Sequence, residues 1–129
     1  MNFPKELRYT KTHEWARREG NRVTVGITDY AQKEISDVVF VEVPKMGRVV
    51  EKEKPAAVVE SVKAAFDIYA PVTGKITKVN QELEANPGLV NQDCYSKGWF
   101  FELEMSSESE WGDLMTAEHY EQHLKTEKK

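Results

Sequence analysis

The chain is punctuated by turn-forming residues. Stretches rich in Val, Ile, Phe, Tyr and Thr fall at about 13–18, 22–28, 38–43, 48–50, 56–61, 64–70 and 75–80, and again in "GWFFELEMS". Each is short and bounded by Gly, Pro or Asn. Short, evenly spaced strands of this kind predict antiparallel sheets packed face to face, as a sandwich or flattened barrel. The turn between the first two holds Gly20-Asn21, two residues that tolerate positive φ. Pro44 ends the 38–43 strand because it has no N–H for a ladder.

Helical signals are confined to a few places. Asp29 is expected to cap a two-turn helix over residues 30–35, with Gln32 closing a capping-box arrangement. "QELEANPGLVNQD" reads as a loop with one helical turn before Pro87-Gly88. The chain from about 107 to 127 is helical, with a Ser107/Glu110 capping box and a second N-cap at Thr116. Ala117, Tyr120 and Leu124 form one apolar stripe that should dock on the sheets. Lys125, Lys128 and Lys129 suit the helix dipole. "VVFVEVPKMG" and "DIYAPVTGKI" each read strand, Pro, Gly, which hints at a quasi-symmetric barrel.

With 129 residues, 40% of them hydrophobic and 31% charged, the chain suits one soluble domain with one modest core. A net charge of −4 argues against nucleic acid as the main partner and against an anionic membrane surface. No apolar run approaches the roughly 18 residues of a membrane span. "MNFPKELRYT" has neither an apolar signal core nor transit-peptide character, so the expected location is cytoplasmic. The one cysteine, Cys94, suits a reducing compartment. With no nucleophile signature around it, it reads as structural.

The most informative stretch is "VVESVKAAFDIYAPVTG", residues 58–74. Strands 56–61 and 64–69 joined by Val62-Lys63 would set Ser61 opposite Ala64, Val59 opposite Phe66 and Ala57 opposite Ile68. One face is then Ala57, Val59, Phe66 and Ile68, all apolar and expected buried. The other, with Val58, Glu60, Ala65, Asp67 and Tyr69, is partly wet. Lys63 falls at the tip. Val62 is a poor turn residue, because two-residue hairpin turns favour positive φ and β-branched residues avoid it. A tip that folds against local preference suggests a site imposing its own sequence. Three roles are open to Lys63: a solvated surface charge, a Schiff-base or general-base lysine, or a protruding attachment point for a prosthetic group. Glu60 and Asp67 nearby would keep it charged, which opposes the second role.

At these residues the chain resembles the lipoylation segment of the glycine cleavage system H protein family, usually E-S-V-K-A-x-S-D-[IV]-Y-[AS]-P-[VI]-[ST]-G. "YTKTHEWARREG", "VTVGITDYAQKEISDVVFVEVPKMG" and "GWFFELEMSSESEWGDLMTAEHYEQ" match further blocks of that family in order, from about residue 7 to residue 126. The resemblance implies a lipoyl/biotinyl-type fold over 1–129. Residues of about 1–20 would be an N-terminal extension, and the helical segment at about 107–127 would pack on the outside. It implies a non-catalytic carrier with lipoate amide-linked to Lys63. The arm would take an aminomethyl group from glycine at the pyridoxal-phosphate glycine decarboxylase and pass it to the tetrahydrofolate-dependent aminomethyltransferase. Dihydrolipoyl dehydrogenase would then reoxidise it. A lipoate ligase or an octanoyl/lipoyl transferase would install it.

By the same resemblance, Glu14 and Asp67 match acidic positions that approach the aminomethyl end in a cleft, where a protonated amine favours carboxylates. On residue type alone, Glu14 is a solvated strand residue and Asp67 an exposed partner of Lys63. Glu34 stands where some members have histidine, and His13 reads as structural support. Phe66 replaces a usual serine, Ser36 a usual glycine and Cys94 a usual proline. Four alternatives remain. A biotinyl domain is disfavoured because its tip usually reads M-K-M. An H-like relay protein would donate lipoate to other complexes. An unmodified binding module would leave Lys63 incidental. A small enzyme using Cys94 or Lys63 lacks any recognisable base, oxyanion hole or metal set.

Overall fold

The computed structural model describes residues 1–127, so Lys128 and Lys129 lie outside the described residues. Strands β1 (Arg8–Tyr9), β2 (Glu14–Glu19) and β3 (Arg22–Ile27) lead into helix α1 (Asp29–Ile35). Then come β4 (Val38–Glu42), β5 (Val49–Val50), β6 (Pro55–Ser61), β7 (Ala65–Tyr69) and β8 (Gly74–Val79). Short helices α2 (Glu82–Ala85) and α3 (Leu89–Gln92) precede β9 (Phe101–Met105), and α4 (Glu108–Gly112) and α5 (Ala117–Glu127) end the described chain. The strands form two antiparallel sheets, ordered β1-β2-β3-β9-β8-β5 and β4-β6-β7. The sandwich read from the strand spacing is therefore the architecture.

Period-two alternation turns one face of each strand inward. Val23, Val25 and Ile27 of β3, Phe101, Leu103 and Met105 of β9, Val41 of β4, Ala57 and Val59 of β6, and Ile68 of β7 are all buried in one core. The two Pro–Gly segments behave alike. Residues 44–47 carry the chain from β4 in the small sheet to β5 in the large one, and residues 71–74 do the same from β7 to β8. β5 and β8 then pair, Val49 with Lys75 and Val50 with Gly74.

Residues 1–20 are woven into the fold instead of extending from it, because they supply β1 and β2 of the large sheet. A second cluster of Leu7, Tyr9, Trp15, Ala117, Tyr120 and Leu124 joins them to α5, so the stripe expected on that helix is its buried face. Tyr9 and Tyr120 stack with ring centroids 4.9 Å apart. Trp15 lies directly over Gly26, where any Cβ would stand 2.6 Å from the indole. Its Nε1–H donates to the Cys94 carbonyl at 2.9 Å.

The helix caps differ in part from expectation. Thr28, not Asp29, caps α1, its Oγ1 accepting from the Ala31 N–H at 3.1 Å. Asp29 is the first helical residue, and Gln32 donates to its carboxylate. Thr116 does cap α5, accepting from the His119 N–H. Ser107 makes no side-chain cap bond. Glu110 turns instead to Thr73, accepting from its N–H at 2.7 Å and its hydroxyl at 3.0 Å, which ties α4 to the loop before β8. Helix α3 forms after Pro87-Gly88, where the sequence reads as loop: its four residues are too few to show a helical period.

Ser36 ends α1 at φ 68°, ψ −154°, a region almost reserved for glycine. Ser36→Gly is therefore expected to raise the unfolding free energy by about 1 kcal/mol, after the entropy that glycine adds to the unfolded chain. Urea denaturation would measure it, and an unchanged or lower midpoint would mean that serine is unstrained there.

Candidate functional site

The hairpin of β6 and β7 has the register expected of it: Ala57 faces Ile68, Val59 faces Phe66 and Glu60 faces Ala65. Ser61 N–H donates to the Ala64 carbonyl at 2.9 Å, leaving Val62-Lys63 as the tip. Neither tip residue takes positive φ. The turn is held by other means. The Ser61 hydroxyl oxygen accepts from the Lys63 N–H at 3.1 Å, and Val62 N–H donates to the Asp37 carbonyl at 3.0 Å. A side-chain bond and a tertiary bond thus replace the special backbone that Val62 could not adopt.

Lys63 is exposed, and its Nζ donates to the Glu34 carbonyl in the last turn of α1, at 2.9 Å. The end of α1 therefore braces the lysine head, and the connection from α1 to β4 braces the tip backbone. That connection is itself pinned by Asn91 of α3. Its side chain accepts from the Val38 N–H at 2.9 Å and donates to the Ser36 carbonyl at 2.9 Å and to Gln32 Oε1 at 3.1 Å.

Phe66 is not in the core. It is 37% exposed, because the core ends at Val59 and Ile68 and this end of β7, an edge strand, faces α1 across a cleft instead of facing the large sheet. The cleft holds about 290 Å³. Tyr30, Ala31 and Glu34 of α1 lie on one side and Phe66 and Ile68 on the other. Thr12 lines both this cleft and a larger recess of about 590 Å³, which contains Thr10, Glu14, Tyr69 and His123.

Glu14 is 1% exposed, so it is not the solvated strand residue its type suggests. Its Oε1 accepts from the hydroxyls of Thr10 at 2.6 Å and Thr12 at 2.5 Å, and its Oε2 from the Tyr69 N–H at 3.1 Å. A carboxylate has about four acceptor positions, so about one is left for a further donor. Burial pushes the carboxyl up to about 7, against the pull of these hydrogen bonds. Asp67 is exposed on β7 opposite Val58 and lines neither recess. The structure thus gathers Lys63, Glu34 and Phe66 around the cleft and sets Glu14 in the adjoining recess.

His13 supports the site. At φ 77° its carbonyl accepts from the Thr28 N–H, its Nδ1 lies 2.8 Å from the Tyr120 hydroxyl and its Nε2 3.3 Å from Glu127. Burial lowers its pKa. The Cys94 thiol is buried and pushed up to about 12 by that burial, which leaves it in the poorly nucleophilic thiol form. Sequence reasoning does not single out Thr10, Thr12, Tyr69 or Asn91. Thr10, Thr12 and Glu14 meet because residues 10–13 form a turn, in which the His13 N–H donates to the Thr10 carbonyl at 3.1 Å, and strand alternation does not signal it.

The family model described as Glycine cleavage H-protein matches residues 7–127. The chain belongs to the glycine cleavage H-protein family. A glycine cleavage system H protein of Thermus thermophilus is 56% identical over 127 residues, covering 98% of this chain and 99% of its own. The glycine cleavage system H protein of Endomicrobium trichonymphae is 53% identical over 120 residues, covering 93% and 97%. The crystal structure of a glycine cleavage system H protein from Mycobacterium marinum superposes with a TM-score of 0.84. It is 33% identical and covers 92% of this chain and 95% of that one. The sandwich is therefore the lipoyl-type fold of the glycine cleavage H-protein family.

Within that fold, Glu14 generates a pH dependence. Its folded pKa, about 7, lies above its ordinary 4.5, so the folded chain holds this proton more tightly than the unfolded one. Stability from this group is greatest at low pH and declines as pH rises through that window. Relative to Glu14→Gln, the unmodified chain should lose on the order of 3 kcal/mol between those two pH values in denaturation series. Parallel pH profiles for the two proteins would show that Glu14 ionises as an ordinary exposed carboxyl.

Proposed function

We propose that this chain is the lipoyl carrier of a glycine cleavage system, a non-catalytic component, with lipoate joined by an amide to Lys63. The observation that carries this reading is the placement of Lys63. A primary amine stands exposed at a hairpin tip that is braced on its backbone by Ser61 and Asp37, and a part-apolar cleft opens beside it. A modifying enzyme needs a reachable amine on a rigid support, and a swinging arm needs somewhere to rest. These residues fit the group. Lipoate, when attached, supplies a dithiolane that accepts the aminomethyl group left by glycine decarboxylation and is reduced in doing so.

The chain's own residues do the rest. Phe66, Ala31 and Ile68 offer apolar surface to the arm, and Thr12 leads from the cleft to the Glu14 recess. Glu14 meets the cationic cargo with a buried carboxylate that has acceptor capacity to spare. Excluding water there strengthens the charge pairing. Glu34 at the cleft side and Asp67 on the exposed face of β7 add negative charge along the approach. The partners are the pyridoxal-phosphate glycine decarboxylase, the tetrahydrofolate-dependent aminomethyltransferase, dihydrolipoyl dehydrogenase and a lipoate ligase or octanoyl/lipoyl transferase. The setting is the cytoplasm, and 1–129 acts as one domain. The relatives carry the glycine cleavage name, and nothing favours the relay role over it.

Intact mass spectrometry tests the attachment. Protein from lipoate-fed cells with a competent ligase should gain one lipoyl group, and Lys63→Ala should abolish the gain; an unmodified wild-type mass would overturn the carrier reading. For the charge along the approach, Asp67→Asn in the loaded protein should shorten the lifetime of the aminomethyl cargo by a few-fold, followed as ammonia release. An unchanged lifetime would remove Asp67 from the approach.

A further inference from the structure

Thr10 stands beside Glu14 in the recess and bonds it at three points. Its backbone N–H donates to the Glu14 carbonyl at 3.0 Å. Its Oγ1 accepts from the Glu14 N–H at 3.1 Å and donates to Glu14 Oε1 at 2.6 Å. Main chain and side chain of Glu14 are thus clamped by one residue. Thr12 bonds the same carboxylate oxygen but is exposed and lines both recesses, so an arriving donor can exchange with it. Thr10 is half-buried and held at both ends of the clamp.

We propose that Thr10 is the positioning residue of the cargo site: its hydroxyl favours the charged form of the Glu14 carboxylate and keeps it aimed into the recess, so that a cationic end meets a preformed acceptor. A hydroxyl that donates to a carboxylate favours its charged form, and at this buried position that form is otherwise costly. A site that must capture an ammonium gains from having its charge and rotamer set before the ligand arrives. The other titratable groups around the recess are Lys11, Lys52, Glu53 and Asp113, the phenols of Tyr9 and Tyr69, and His123 of α5. Lys52 pairs with Asp113 at 3.2 Å, so that lysine is already engaged and Thr10 remains a direct support of the Glu14 charge. The inference rests on the proposal that Glu14 receives the cargo.

Two measurements test it, one of which needs no lipoate. In the unlipoylated chain, carbon NMR titration of the Glu14 carboxyl should show its pKa raised by about one unit in Thr10→Val, which keeps shape and loses the donor, and near wild type in Thr10→Ser. In the loaded protein, Thr10→Val should shorten the cargo lifetime about ten-fold, with Thr10→Ser restoring it and Glu14→Gln shortening it at least as far. If Thr10→Val does not fold, Thr10→Ala serves as the variant without a hydroxyl. A folded hydroxyl-less variant with an unchanged Glu14 pKa, or an unchanged lifetime while Glu14→Gln shortens it, overturns the role of Thr10. An unchanged lifetime in Glu14→Gln itself overturns the cargo site and this inference with it.

Discussion

A slip of one residue between β6 and β7 would turn either Val59 or Ile68 out to solvent and bring Glu60 or Asp67, on the same strand, toward the core. Burying either carboxylate without partners would cost several kcal/mol, so the apolar face admits one register. Much of the site hangs from that constraint. Once Ala57 faces Ile68 and Val59 faces Phe66, Val62 and Lys63 must form the tip. The tip then lies level with the Asp37 carbonyl, which extends the β4 ladder, and with the end of α1. The lysine is presented by packing that lies well below it in the sandwich.

Glu14 shows the complementary principle. A carboxyl group in a sandwich of Val, Ile and Phe is expensive unless each oxygen finds a donor. Here β2 of the large sheet reaches Tyr69 on the free edge of β7 in the small one, while two threonine hydroxyls close on the other oxygen. The same bonds that make burial tolerable place a negative charge beside an open recess. Tolerating the charge and using it are thus one arrangement. His13, at positive φ, bends the chain between Thr12 and Glu14 and anchors the bend to α5 through Tyr120 and Glu127.

The strands and the hairpin register were legible because apolar alternation and Gly/Pro punctuation are local signals. The helix caps were legible only in part. Thr28 and Asp29 are neighbours with equally good capping side chains, and the choice between them turns on where the last residue of β3 releases the chain. Glu110 could reach back to Ser107 or across to Thr73, and the tertiary partner won because Thr73 offers two donors. Alternation with Ile68 points Phe66 at the core. Alternation says which face a side chain takes but not how far along the strand the covering sheet extends. Asn91 carries no local signal, since its three partners come from segments more than fifty residues away.

By itself the sequence determined the two-sheet class, the pairing of β6 with β7 and the protrusion of Lys63. Each of these depends on residues near one another in the chain and on the rule that apolar faces are buried together. Four blocks in order, at Tyr9, Val23, Val58 and Gly98, carried the family resemblance that gave the lysine a role. Only the tertiary structure decided that Glu14 is buried and partnered, that Phe66 and Glu34 share a cleft beside Lys63, and that Asp67 stands outside both recesses. Those facts depend on how the free edge of one sheet meets the first strands of the other. The distance between two sheets is set by the packing of every core side chain at once, and no short stretch of sequence encodes it.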